Sequence, residues 1–123
     1  FPIECKRLPT PKGKDRDERE YVVTKEGTTG GMQRFKLGHH GSTHGFAVII
    51  GYVQEQDFAH WLNEINGWIR NLSNEAGSAW SDSDLLQSVS DASTADVCML
   101  QSCHVRPSGL SPCDLRHLWV KML

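Results

Sequence analysis

Hydrophobic and polar positions sort the chain into short alternating runs and one long periodic one. In FPIECKRL, residues 1–8, Ile3, Cys5 and Arg7 fall on one side of an extended strand and Glu4, Lys6 and Leu8 on the other. PTPKGKDRDERE breaks that alternation with prolines and interleaved charge, the composition of a solvated loop. YVVTKEGTTGG is a short apolar segment running into a flexible Gly/Thr turn, and MQRF after it spans one or two turns of helix. GFAVIIGYVQ, residues 45–54, is a continuous apolar and β-branched run, which predicts a central strand buried on both faces.

The long periodic run follows. Phe58, Trp61, Leu62, Ile65, Ile69 and Leu72 recur at helical spacing, Asp57 is placed to cap the first turn, and Gly67 weakens the helix by about 1 kcal/mol relative to alanine. Trp61 and Trp68 read as core residues rather than as platforms for bases. Residues 73–95 are rich in Ser, Asp and Ala, which predicts a flexible excursion with one short helix near Asp84 to Val89. ADVCMLQSCHVR and CDLRHLWVKML then give two strands joined by PSGLSP, a connection of hairpin length and turn chemistry. The order predicts an α/β or α+β sheet with helical cover.

Composition limits the size and the surroundings. With 123 residues, 38% of them hydrophobic and 23% charged, the chain can bury one modest core and so forms a single domain or part of one. A formal net charge of -2 excludes a global basic field but leaves room for a local basic patch. No apolar run reaches membrane-spanning length and no signal-peptide pattern is visible, so no membrane partner is expected. Cys5, Cys98, Cys103 and Cys113 follow no zinc spacing, which favours buried reduced thiols in a cytoplasmic protein over a disulfide between the late cysteines. The abrupt start within a strand, without an initiator methionine, reads as the mark of a fragment.

The conspicuous candidate chemistry is KLGHHGSTHG, residues 36–45. FKLGHHGS is similar to a short motif of metallo-β-lactamase-fold hydrolases, in which a strand ends in a His-His-Gly-Ser turn and one histidine helps to bind a metal. That family's main His-x-His-x-Asp-His cluster is absent from residues 1–38. A metal needs several convergent ligands, so a polar turn before the buried strand is the favoured reading.

Glu4 and Lys6 make the stronger case. Two apart on one strand, they present a carboxylate and an ammonium to the same small volume. That pair suits phosphodiester hydrolysis, in which a carboxylate holds a divalent ion that activates water and the ammonium meets developing charge. Acid–base catalysis alone supplies about 10²- to 10⁴-fold, and phosphate esters need far more, so a metal is implied.

The wider context resembles the PD-(D/E)XK nuclease superfamily. IECKRL matches its catalytic strand, EGTTGGMQRF the Gly-Met-x-Arg-Phe element that follows in some defence-associated members, and AVIIGYV their next core strand. INGWI, CHVR and LRHLWVKML continue the pattern in order. The resemblance implies an α/β fold, a restriction-endonuclease-like mixed β-sheet flanked by helices and incomplete at the N-terminal side, with residues 1–123 as the C-terminal portion of a single nuclease domain. It makes Glu4 a metal ligand, Lys6 the catalytic lysine and the Cys5 main-chain carbonyl a further ligand. Gln33 and Arg34 take a polar or phosphate-contacting role beside the site, with an ordinary exposed helix face as the competing reading, and His39 and His40 a supporting one.

His104, Arg106 and His117 are expected at the far end of the sheet, in structural hydrogen bonds rather than in catalysis. Lys12, Lys14, Arg16 and Arg19 could touch phosphate, but Asp15, Asp17, Glu18 and Glu20 interleave with them and favour a solvated loop.

The resemblance further implies Mg2+, with Mn2+ as the alternative ion, and nucleic acid as substrate, DNA favoured over RNA, in a prokaryotic defence or restriction setting. The family's first acidic ligand lies on the strand before Glu-x-Lys and is expected outside this chain, in the remainder of the domain or another protein, so the resemblance implies a magnesium-dependent endonuclease that is inactive as this fragment alone. A homo-oligomer stays open. So does a different class of function, a non-catalytic nuclease-like module whose exposed sheet edge pairs with a partner. A metallo-β-lactamase-like hydrolase fragment stands third.

Overall fold

A computed structural model describes residues 1–25, 27–89, 93–107 and 109–122. Its strands are β1 (Ile3–Leu8), β2 (Phe46–Val53), β3 (Gln87–Ser88), β4 (Val97–His104) and β5 (Cys113–Lys121). Its helices are α1 (Gly31–Lys36) and α2 (Phe58–Ser73), and a 3₁₀ turn covers Asp82–Asp84. The five strands form one mixed sheet in the order β1-β2-β5-β4-β3. β1 runs parallel to β2 and β2 parallel to β5, whereas β4 is antiparallel to β5 and to β3. The chain is therefore α/β in class. No helix among the described residues is long and apolar enough to cross a membrane.

Strand alternation decides which side is covered. Ala47, Ile49 and Val53 of β2, Leu115 and Trp119 of β5 and Leu100 of β4 are fully buried and meet Met32, Phe35, Trp61, Ile65 and Ile69 of the two helices. The alternate positions, among them Val48, Ile50, Met99, Leu118 and Val120, are only half-buried. Burial of β2 on both faces was expected from its unbroken apolar run. It holds for one face, because α1, α2 and the 3₁₀ turn all pack on the same side.

α2 begins where its cap predicts: the Asp57 carboxylate accepts the His60 amide at 2.7 Å. Its apolar stripe buries Trp61, Ile65 and Ile69, with Trp68 packed against the core. Asn66 on the same stripe donates to the Leu86 carbonyl at 3.0 Å and accepts the Leu86 amide at 2.8 Å. This two-way clasp draws Leu86 into the core from a segment whose composition reads as an excursion; residues 90–92 of that segment lie outside the described residues. Nothing lies within 4 Å of where a Gly67 side chain would start. Gly67→Ala is therefore expected to stabilise the protein by about 1 kcal/mol. A thermal melt should rise by roughly 3–5 °C, and a fall would mean that the helix surface is not open there.

All four cysteines are free thiols. Cys98 and Cys113 are buried as expected, but Cys5 and Cys103 are exposed because they sit on the uncovered side of the strand alternation.

Candidate active site

β1 lies at the edge of the sheet, and its alternation turns Glu4, Lys6 and Leu8 toward the helices while Ile3, Cys5 and Arg7 stay exposed. Glu4 accepts from Arg34 of α1, Nη1 to Oε1 at 3.0 Å, and its Oε2 lies 3.3 Å from His40 Nδ1. Lys6 Nζ stands 3.8 Å from Glu4 and 3.7 Å from Glu20. Glu20 in turn binds Arg16 through two contacts, at 2.6 and 3.2 Å. Two carboxylates from separate segments thus share one ammonium.

Backbone geometry explains how Glu20 arrives there. The first amides of α1 do not face solvent: Gly31, Met32 and Gln33 donate to the carbonyls of Glu20, Tyr21 and Val22, each at 2.9 Å. This lashes residues 20–22 across the start of the helix. It also explains Gly30 and Gly31, since a Cβ at Gly30 would lie 2.4 Å from Val23 Cα, and one at Gly31 would lie 2.7 Å from the Tyr21 carbonyl. The glycines read as flexible in the sequence serve close packing of backbone on backbone.

Other residues singled out in the sequence divide. Gln33 is buried, and its side-chain oxygen lies 3.4 Å from the amides of Thr24 and Gly30, so it supports the start of α1 rather than facing the site or solvent. His39 is exposed, whereas His40 stacks on Phe35 with ring centroids 4.9 Å apart and points to Glu4. The Cys5 main chain lies between Glu4 and Lys6, in register with Ile50.

Arg106, buried at the far side, holds the histidine turn by donating to the carbonyls of Gly41, Ser42 and His44. It also donates to the carbonyl of Ser111 at 2.7 Å. In the charged loop, Arg19 pairs with Asp17 and Arg16 with Glu20, so part of the interleaved charge cancels locally.

Among the described residues no group of three or more His, Cys, Asp or Glu side chains converges on a point that could hold a metal. Glu4 and Glu20 offer hard oxygen donors, the type Mg2+ takes, and Mg2+ is often held by one or two carboxylates with water and substrate phosphate completing its shell. The donor type fits that mode only where an ion takes oxygens that Lys6, Arg34 and Arg16 now hold, and it does not fit a closed all-protein cage.

A second polar cluster lies inside the protein. Trp119 Nε1 donates to the Tyr21 hydroxyl at 2.9 Å, which lies 2.6 Å from His117 Nδ1. Ser102 Oγ lies 2.7 Å from both His117 Nε2 and His104 Nε2, and His104 Nδ1 lies 2.6 Å from Asp84. Indole can only donate, so one proton arrangement satisfies every member: Tyr21 donates to His117, His117 to Ser102, Ser102 to His104 and His104 to Asp84. Asp84 also accepts from Lys36 at 3.0 Å and from the Ser81 amide at 2.8 Å. Asp84, His104 and Ser102 have the connectivity of a hydrolytic triad, but all three are buried and Ser102 is held from both sides. The cluster is structural, as expected for His104 and His117.

Burial dominates its titration. It pushes the Asp84 carboxyl up, but the bonds from His104, the Ser81 amide and Lys36 together outweigh it and hold Asp84 below the ordinary carboxylate value. Burial, with the nearby Lys36 ammonium, lowers His104 against the pull of Asp84, and burial lowers His117 further, helped by the neighbouring His104. Burial also raises the Tyr21 phenol strongly.

In the unfolded chain both histidines take up protons below about 6.5, while in the fold they stay neutral to lower pH, so the unfolded state binds more protons. Stability is therefore expected to fall as pH drops below about 6.5, by up to roughly 1.4 kcal/mol per pH unit for each histidine. The Asp84 contribution is present above its unfolded value of 3.8 and is lost as pH falls through its lower folded value. Urea midpoints at pH 7.5, 6.5 and 5.5 check the histidine window, and His117→Gln should flatten the slope by about half. A pH-independent midpoint over this range would contradict it.

Compared with family models, curated proteins and solved structures, the chain matches none.

Proposed function

We propose that the chain is the C-terminal portion of a PD-(D/E)XK-type nuclease domain of restriction-endonuclease-like fold, cutting DNA with Mg2+ in a prokaryotic defence or restriction setting in the cytoplasm. The observation that carries this reading is the meeting of Glu4 and Lys6 with Glu20, Arg34 and His40 on the edge strand. Arg16, Lys6 and Arg34 outnumber the two carboxylates there, an excess of positive charge suited to a phosphodiester.

In this reading Glu4 and Glu20 hold the ion, with the Cys5 carbonyl as a further ligand, and Glu20 takes the place of the second acid that the sequence resemblance puts outside the chain. The bound ion supplies Lewis acidity and a more acidic water. Lys6 faces the charge that develops on the phosphoryl oxygens, Arg34 orients Glu4 and the phosphate, and His40 fixes the second Glu4 oxygen.

The test is cleavage of supercoiled plasmid and of single-stranded DNA, and separately of single-stranded RNA of the same length, by the protein in Mg2+ and in EDTA. Mg2+-dependent cutting of DNA in preference to RNA is expected. Absence of cutting with either nucleic acid by the full source protein would sink the reading.

One observation favours a second reading, a nuclease-like interaction module. The uncovered face carries half-buried Val48, Ile50, Met99 and Leu118, and no strand among the described residues pairs with the outer edge of β1, so a further protein layer can cover apolar surface there. Assembly with the remainder of the domain or another chain, without any cleavage, is the outcome that selects it.

A further inference from the structure

Where β1 ends and the chain turns into residues 9–20, a cleft of about 320 Å³ opens beside the candidate site. Lys6, Arg7 and Arg16 line it against one carboxylate, Glu20, which is already shared between Lys6 at 3.7 Å and Arg16 at 2.6 Å. Arg7 has no carboxylate partner among the described residues. The cleft therefore holds uncompensated positive charge.

Its position and walls narrow the ligand. Arg7 and Tyr52 pair in register across β1 and β2, each one residue before its strand ends. The cleft so lies at the carboxyl ends of two parallel strands. The Tyr52 ring and Pro11 supply apolar surface beside the cations. The volume is at the lower end of the ~300–1,000 Å³ found for small-molecule sites, room for one nucleotide unit but not for a duplex. Lys6 belongs to both places, since it reaches Glu4 and also lines the cleft.

We propose that this cleft binds the nucleotide next to the cleaved bond, its phosphate on Arg7 and Arg16 and its base against Tyr52. The subsite rests on the nuclease reading for its place beside a scissile phosphate. Its consequence is a substrate preference: a base reaches Tyr52 only when unpaired, so the protein takes a single strand or frayed end over an intact duplex.

Fluorescence anisotropy in EDTA, where no cutting occurs, tests this with a labelled single-stranded DNA 12-mer and its blunt duplex. The single strand should bind about tenfold tighter. Arg7→Gln should weaken it about fivefold and reduce the salt slope by roughly one, and Tyr52→Leu should weaken it about tenfold while leaving that slope unchanged. Both side chains are at the surface of the cleft, and circular dichroism confirms that each variant is folded. Equal binding of duplex and single strand, or wild-type binding by both variants, overturns the subsite. If plasmid cleavage depends on Lys6 while binding ignores Arg7 and Tyr52, the subsite falls and the nuclease reading stands. If no cleavage occurs but both substitutions weaken single-strand binding as stated, the nuclease reading falls and the single-strand site stands.

Discussion

Lys6→Ala is expected to lower Mg2+-dependent DNA cleavage by about 10²- to 10³-fold, the usual loss when one preorganised donor facing transition-state charge is removed. Stability should hardly move. The Lys6 contacts to Glu4 and Glu20 are long, 3.8 and 3.7 Å, and without them Glu4 keeps Arg34 at 3.0 Å and Glu20 keeps Arg16 at 2.6 Å, so the loss should stay within ~1 kcal/mol. Rate and stability thus separate, and this separation distinguishes a catalytic lysine from a structural one. Lys6→Arg should recover only part of the activity, because a planar guanidinium keeps the charge but not the compact donor geometry. Initial rates of plasmid nicking, read beside urea midpoints for the same proteins, make the comparison. Undiminished nicking by Lys6→Ala would remove the assignment.

The opposite signature is expected at Asp84. Asp84→Ala leaves the Lys36 ammonium, only 2% exposed, with no carboxylate and only the Val105 carbonyl at 3.1 Å as acceptor among the described residues, and it takes the acceptor from the His104 Nδ1 hydrogen and the Ser81 amide as well. Breaking a buried pair in this way costs about 3–5 kcal/mol, a large share of the ~5–15 kcal/mol that holds a typical domain. Asp84→Asn should cost less, since one oxygen acceptor remains. The urea midpoint at pH 7.5 should fall strongly with an unchanged slope, and a loss under about 1 kcal/mol would show that the interior relaxes to hydrate Lys36.

The sequence revealed elements whose pattern depends on their own residues. The α2 stripe, its Asp57 cap, the alternation of β1 and the β4–β5 hairpin all follow from local periodicity and turn chemistry. What was hidden depends on partners far along the chain. Glu20 sits in a run of alternating charge that reads as solvated, yet it directly precedes Tyr21, Val22 and Val23, which are buried and lashed to α1. That apolar triplet is the cue that its neighbour is held in place. Asp84 likewise lies among serines, and only the following Leu85 and Leu86 hint that its segment turns inward. The link of the histidine turn to Glu4 through His40 depends on Arg106, whose four carbonyl partners no spacing rule shows.

The strand order carries a consequence for how the molecule assembles. β4 and β5 close over the short connection 105–112, whereas the β2 ladder must bring Phe46 to Asp114, a much larger loop with a higher entropic cost. Among the described residues β1 pairs with the sheet through β2 alone. The hairpin is thus expected to form first, and the edge strand carrying Glu4 and Lys6, held by one ladder, can come free while β2, β5 and β4 stay paired.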